Sequence, residues 1–124
     1  MRCFEPRSNG VFVTGTDTDC GKTVVARGVV AALRSRGLRV GVMKPVAAGA
    51  VSTPEGLRNQ DALDLIAESG LDLPYATVNP CVYVSAIAPH VAAAKTGVPI
   101  RFAPLLDAFA RIRQVSDVVV VEGA

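Results

Sequence analysis

The sequence predicts an α/β fold: a parallel sheet flanked by helices. Three observations lead there. Short apolar runs alternate along the chain with longer amphipathic stretches, the pattern of strand–helix–strand units. Half of the residues are hydrophobic but only 5% are aromatic, a balance that suits buried parallel strands and closely packed helices. The length of 124 residues suits one domain, hiding roughly two thirds of the surface its unfolded chain exposes.

The first strand is predicted at residues 11–13, a continuous apolar run ending at Gly15. In "KTVVARGVVAALRSRG", Val24, Val25, Ala31, Ala32 and Leu33 are expected to form the apolar face of a helix, with the arginines on another face. That helix should stop at Gly37, after Arg34 and Arg36 have complemented the negative end of its dipole. "LRVGVMKPV" reads as a second buried strand ending near Lys44, because Pro45 lacks an N–H and disfavours helix before it. Residues 47–59 are rich in glycine, serine, threonine and proline and read as a surface loop. "NQDALDLIAESG" comes next as a helix, with Leu63, Ile66 and Ala67 at helical spacing, Asp61 in the first turn and Gly70 as terminator.

"LDLPYATVNPCVYVSAIAP" reads as a second loop region leading to a short helix, with Pro89 near its start and Gly97 after its end. A further helix is expected in "FAPLLDAFARIRQ", with Leu105, Leu106, Phe109 and Ile112 on one stripe. "DVVVVEGA" has the composition of a fully buried strand. There is no internal repeat and no linker, so residues 1–124 are assigned to a single domain.

A formal net charge of +2, with arginines spaced at Arg34, Arg36 and Arg39, argues against nucleic acid or an anionic membrane as partner. Charges interrupt every apolar run before it could span a bilayer, and "MRCFEPRSNG" lacks the apolar centre of a signal peptide. Cys3, Cys20 and Cys81 form no CxxC pair, which argues against a disulfide framework or structural zinc and fits a reducing cytoplasm.

Parallel sheets gather ligands at the carboxyl ends of their strands. Three polar segments fall there: the loop after Val13, Lys44 after the second strand, and Glu122 at the end of the third. In the first, "GTDTDCGKT" joins strand to helix through small residues and closes on Gly21, Lys22 and Thr23. Small residues let unpaired N–H groups at a helix start wrap a phosphate chain closely, and a lysine there adds a mobile positive charge. This is the logic of the P-loop, GxxxxGK[ST], whose lysine reaches the β and γ phosphates of ATP and whose hydroxyl ligates Mg²⁺. Here Gly15 and Gly21 enclose five residues where that pattern has four.

Asp17 and Asp19 would repel a triphosphate if both faced it, so at least one should face magnesium or a cationic co-substrate; Asp19 is the choice for the latter. Glu122 is a candidate magnesium-linked acid and Lys44 a candidate site cation, while Asp61 by itself reads as a helix-start carboxylate favoured by the dipole. His90 at a helix start reads as structural, Cys20 as a small apolar filler, and Tyr75 and Tyr83 as packing residues.

With "VTGTDTDCGKT", "KPVAAG", "TPEGLRNQDAL", "YATVNP", "APH" and "VVVVEGA" in this order, the chain resembles the amino-terminal half of the dethiobiotin synthase family. The resemblance implies a homodimeric P-loop NTPase-like enzyme that converts 7,8-diaminononanoate, CO₂ and MgATP to dethiobiotin, ADP and phosphate. It also implies roles. Lys22 would neutralise the phosphates, and Thr23, Asp61 and Glu122 would hold magnesium directly or through water. Lys44 would stabilise the carbamate and its phosphorylated form, Thr18 and Asp19 would face the diamine, and the backbone from Asp19 through Cys20 and Gly21 to Val24 would cradle phosphate. Ala48 stands where the family has a hydroxyl that contacts substrate, and Asp19 where glutamate is common.

The family continues beyond the position of Ala124, so the chain is expected to be a truncated version of a longer protein with an exposed sheet edge. Rival readings are a related amide synthase, a switch ATPase and a nucleotide-binding fragment without turnover. The switch ATPases carry a signature lysine five places before the loop lysine, where this chain has Asp17.

Overall fold

The computed structural model describes residues 10–15, 21–84 and 89–123. In chain order the elements are β1 (Gly10–Val13), α1 (Lys22–Ser35), β2 (Val40–Met43), β3 (Val46–Ala48), β4 (Val51–Thr53), β5 (Gly56–Arg58), α2 (Gln60–Ser69), α3 (Tyr75–Val78), β6 (Cys81–Tyr83), α4 (Pro89–Thr96), α5 (Phe102–Gln114) and β7 (Val118–Glu122). The central sheet runs β1-β7-β2 with both pairs parallel, so the last strand lies between the first two. Parallel neighbours cannot be joined by a tight turn, and the helices between them make the crossovers.

The sheet is covered on both faces. Val40 and Val42 of β2 and Val118 and Val120 of β7 pack with Ala26, Val30 and Leu33 of α1 and Ala62 and Leu65 of α2. Met43 and Val119 point the other way, onto Ala108 and Ile112 of α5. This explains why β2 and residues Val118 to Val121 of β7 are apolar, as strands buried on both sides must be. On β1 only one face is enclosed: Val11 and Val13 join the first cluster, whereas Phe12 is 64% exposed. Among the described strands β1 pairs with β7 alone.

Three sequence expectations need correcting. The buried face of α1 is Ala26, Val30 and Leu33; Val24, Val25, Ala31 and Ala32 are exposed. This helix is apolar around most of its circumference, so composition cannot choose the face, and packing onto the sheet does. In α2 the buried residues are Ala62, Leu65 and Ser69, with Ile66 against the core and Leu63 and Ala67 outside. In α5 Leu106 is exposed, and the inner stripe is completed by Ala108. One cause runs through α2 and α5: size marks the large aliphatic residues as core, whereas close helix packing selects small alanines.

Both loop regions also contain structure. Residues 47–59 include most of β3 and the hairpin of β4 with β5, and the second region holds α3 and β6. Each strand has three residues, too short to show a period. β3 pairs with β6 in parallel as a separate two-stranded sheet. The chain changes sheets at Lys44 and Pro45, where Lys44 N–H donates to Val78 C=O (2.9 Å) and Pro45 C=O accepts from Cys81 N–H (3.2 Å).

The helix ends are as expected. Gly37 and Gly70 take left-handed φ values of 83° and 68° after α1 and α2. Arg34 does more than complement its own helix, since its guanidinium donates to Glu68 C=O at 2.7 Å and lies over Gly70. Gly41 is fixed by close approach: a Cβ there would stand 2.4 Å from Ile112 Cγ2 and 2.8 Å from Ser116 Oγ. Ile112 is β-branched and fully buried, so it has little freedom to yield. Gly41→Ala should destabilise the fold by about 1–3 kcal/mol in urea unfolding.

The starts of β2 and β7 are clipped together by Arg39 and Asp117. Arg39 N–H donates to Asp117 Oδ2 at 2.7 Å, its guanidinium to Oδ1 at 3.1 Å, and Asp117 N–H donates to Arg39 C=O at 2.7 Å. The Arg39 guanidinium and N–H hold the Asp117 carboxyl below its ordinary value. A depressed carboxyl stabilises the fold above its unfolded pKa, about 4, and loses that contribution as pH falls through the folded value. Urea midpoints measured from about pH 5 downward should therefore fall more steeply for the wild type than for Asp117→Asn.

Candidate functional site

β1 ends at Val13, and α1 begins at Lys22 after Gly21, whose φ is +80°. A Cβ on Gly21 would meet nothing within 4 Å, so glycine is required there by backbone conformation and not by space. The start of α1 has no side-chain cap and no acidic residue in its first turn. Its first helical backbone bond runs from Val25 N–H to Gly21 C=O at 3.0 Å, which leaves the N–H groups before it outside the helix's own ladder. An anion at this position would find donors and a positive dipole end.

The next shell comes from other elements. Thr23 Oγ1 donates to Glu122 Oε1 at 2.6 Å, joining the first turn of α1 to the last residue of β7. Glu122 is 1% exposed, and its Oε2 has no hydrogen-bond partner among the described residues. Lys44, 4% exposed, brings Nζ to 3.6 Å from Glu122 Oε1 and 3.7 Å from Asp61 Oδ2. These are ion-pair separations, longer than hydrogen bonds. The Asp61 side chain is 45% exposed, so solvent weakens its hold on Lys44 compared with that of Glu122.

Four residues singled out in the sequence thus converge from four places: Thr23 from α1, Lys44 after β2, Asp61 from α2 and Glu122 from β7. Lys22, beside Thr23, is buried, its stem enclosed. Val24 is 75% exposed, so only its backbone suits a phosphate-binding part. Ala48 lies on β3 opposite Tyr83, and its C=O accepts from Asn59 Nδ2 at 3.2 Å. Asp17, Thr18, Asp19 and Cys20 lie outside the described residues. His90 is exposed on α4.

Tyr75 is more than a packing residue. Its hydroxyl accepts from Asn59 N–H at 2.6 Å and donates to Asn79 Oδ1 at 2.8 Å, while the Arg58 guanidinium lies 4.3 Å from its ring centroid. Burial raises the Tyr75 hydroxyl above its ordinary value, opposed by the Asn59 N–H bond and the Arg58 charge. The sequence held one signal of this. Asn59 caps α2 by accepting from Ala62 N–H at 3.1 Å, but Ala62 cannot return a side-chain bond to Asn59 N–H as Glu or Gln would in a capping box. Tyr83 stays a buried packing residue whose hydroxyl donates to Val98 C=O at 2.8 Å.

Residues 9–124 match the family described as AAA domain. The chain belongs to the AAA domain family. It is also similar to proteins named ATP-dependent dethiobiotin synthetase BioD. The one from Xanthomonas campestris pv. campestris (strain B100) is 50% identical over 112 residues, covering 90% of this chain and 50% of that protein. That from Chromohalobacter salexigens is 51% identical over 118 residues, covering 91% and 48% respectively. That from Pseudomonas paraeruginosa is 49% identical over 114 residues, covering 91% and 50%. The chain is therefore a homologue of dethiobiotin synthetase that corresponds to its amino-terminal portion. It spans about half the length of these relatives.

Within this AAA domain the donor set suits a hard cation. Thr23, Asp61 and Glu122 offer only oxygen, and Glu122 Oε2 is a buried acceptor without a donor among the described residues. No group of three His, Cys, Asp or Glu side chains able to hold a metal occurs among the described residues, so any ion here would keep water or nucleotide oxygens in its shell, as Mg²⁺ commonly does. No helix among the described residues is long and apolar enough to cross a membrane.

A buried carboxylate that loses its cation suffers more than one replaced together with it. Lys44→Met should destabilise the AAA domain by roughly 3 kcal/mol in urea unfolding, and adding Glu122→Gln should restore at least half of that loss.

Proposed function

We propose that this chain carries the ATP-phosphate and carbamate site of a dethiobiotin synthetase. The observation that supports this reading best is the meeting of Thr23, Lys44, Asp61 and Glu122 at the carboxyl end of the sheet, beside the uncapped start of α1. The names of the relatives agree with it.

In this reading one amine of 7,8-diaminononanoate adds to CO₂ and loses a proton, giving a carbamate. A carbamate oxygen attacks the γ-phosphorus, the bond to the ADP oxygen breaks, and ADP leaves. The second amine then attacks the carbonyl of the mixed anhydride, expels phosphate and closes the cyclic urea. The obstacle is that two anions, carbamate and γ-phosphate, must be brought into contact. Fixed cations in a partly dehydrated site offset their repulsion without reorganising during the reaction.

Lys22 and the N–H groups at the start of α1 hold the phosphate chain, and Lys44 holds the carbamate and the charge that grows as it is phosphorylated. Mg²⁺, held through Thr23, Asp61 and Glu122, would neutralise phosphate oxygens when bound. Thr18 and Asp19, outside the described residues, are assigned to the diamine by the family resemblance. Ala48 provides no side-chain hydrogen bond, so substrate is held at that turn by backbone or by shape. The working enzyme is a cytoplasmic homodimer.

The test is phosphate release from MgATP and bicarbonate, with and without the diamine. Release should depend on the diamine. Lys22→Ala should weaken nucleotide binding as well as turnover, whereas Lys44→Ala should lower kcat by about 10²–10³ with a small change in the KM for ATP. Release that ignores the diamine and survives loss of Lys44 would overturn the ligase reading in favour of a switch ATPase. Nucleotide binding without any release would leave a binding module.

A further inference from the structure

Lys44 and Asp61 belong to different elements, yet one short helix is linked by hydrogen bonds to the backbone beside both. α3 and the residue after it hold Lys44 twice: Val78 C=O accepts from Lys44 N–H at 2.9 Å, and Asn79 Nδ2 donates to Lys44 C=O at 2.8 Å. The same Nδ2 donates to Cys81 C=O at 3.3 Å. Two carbonyl partners fix the orientation of the Asn79 amide, so its Oδ1 is left as an acceptor for Tyr75. The Tyr75 hydroxyl donates its proton to Asn79 and accepts from the N–H of Asn59. Asn59 in turn caps α2 two residues before Asp61.

The relay therefore has one consistent direction, from Asn59 N–H through the Tyr75 hydroxyl and the Asn79 amide to Lys44 C=O. Asn59 and Asn79 are 5% and 2% exposed, so little water competes for these bonds. Tyr75 supplies the half of the capping box that Ala62 cannot.

We propose that Tyr75 and Asn79 are positioning residues that hold the Asp61 carboxylate and the Lys44 ammonium in register across the site. Neither touches a reacting atom. The proposal rests on the reading of this cluster as the magnesium-dependent reaction site, but its test does not need turnover.

Tyr75→Phe removes one hydroxyl and keeps the ring under Arg58. The experiment is titration of manganese(II), followed by electron paramagnetic resonance, into the protein with a non-hydrolysable ATP analogue. Wild type, Tyr75→Phe, Asp61→Asn and the double variant are compared, with thermal unfolding as the control for folding. Removing a residue that orients a metal ligand costs about tenfold in affinity, and that is the weakening expected for Tyr75→Phe. In the Asp61→Asn background the same change should have no further effect, because its route to the ion is already gone; a general loss of packing would persist there. Where turnover is measured, kcat should fall with the KM for ATP within about twofold, since the phosphate-binding turn lies on α1.

Unchanged manganese affinity in Tyr75→Phe, or an equal loss in both backgrounds, overturns the proposal. Absence of manganese binding by the wild type overturns it too. Weakened binding that vanishes in the Asp61→Asn background, in a protein with no diamine-dependent phosphate release, would sustain the positioning role while the ligase reading falls.

Discussion

The site depends on one strand being placed between two others. With β7 set between β1 and β2, the carboxylate at its end stands between the segments that leave β1 and β2. Those segments lead to Thr23, at the start of α1, and to Lys44, at the sheet-changing bend. Glu122 Oε1 meets both, at 2.6 Å and 3.6 Å. In a sheet where β1 and β2 were neighbours, the hydroxyl and the ammonium would have no acid between them. The crossover through α5, anchored by Ile112 against Gly41, carries the chain back to the position where β7 can enter.

This arrangement is poor for stability and useful for chemistry. A buried carboxylate with one oxygen unpartnered among the described residues and an ammonium at ion-pair distance carries a desolvation cost that hydrophobic residues of similar size would avoid. Where water is scarce, a charge near an incoming phosphate acts most strongly. The same reasoning explains the open start of α1. A serine or aspartate cap would stabilise the helix, but it would occupy the donors that an anion needs.

Residues carrying a local rule are legible in the sequence, and residues carrying a relation between elements are not. Gly37 and Gly70 each take the left-handed conformation expected where a helix stops. Lys44 and Glu122 fall at strand ends because the apolar runs before them end there. The inner face of α1 is hidden in the sequence because valines and alanines surround the helix, and only the sheet beneath selects Ala26, Val30 and Leu33. The strands β3 to β6 escape sequence reading because three residues carry no detectable period. Tyr75 looks like a packing residue for a related reason. Its partners Asn59 and Asn79 lie 16 and 4 residues away, and the missing capping-box partner at Ala62 shows that Asn59 N–H needs another acceptor without naming which one.

The use of neutral polar groups in that relay reflects its surroundings. Lys44, Asp61 and Glu122 already crowd three charges into one place, and a fourth buried charge used as a brace would move the balance of the cluster whenever its own proton moved. An amide does not titrate, and a phenol raised by burial remains protonated through the neutral range. Tyrosine and asparagine can therefore set where Lys44 and Asp61 stand without setting how they are charged. A purely apolar contact would leave Lys44 C=O and Asn59 N–H without the partners they have here, at a cost of about 1–3 kcal/mol for each buried group. Hydrogen bonds also specify angle as well as distance, which packing of methyl groups does not. The backbone beside Lys44 and Asp61 is thus held by groups that add geometry to the site and no charge.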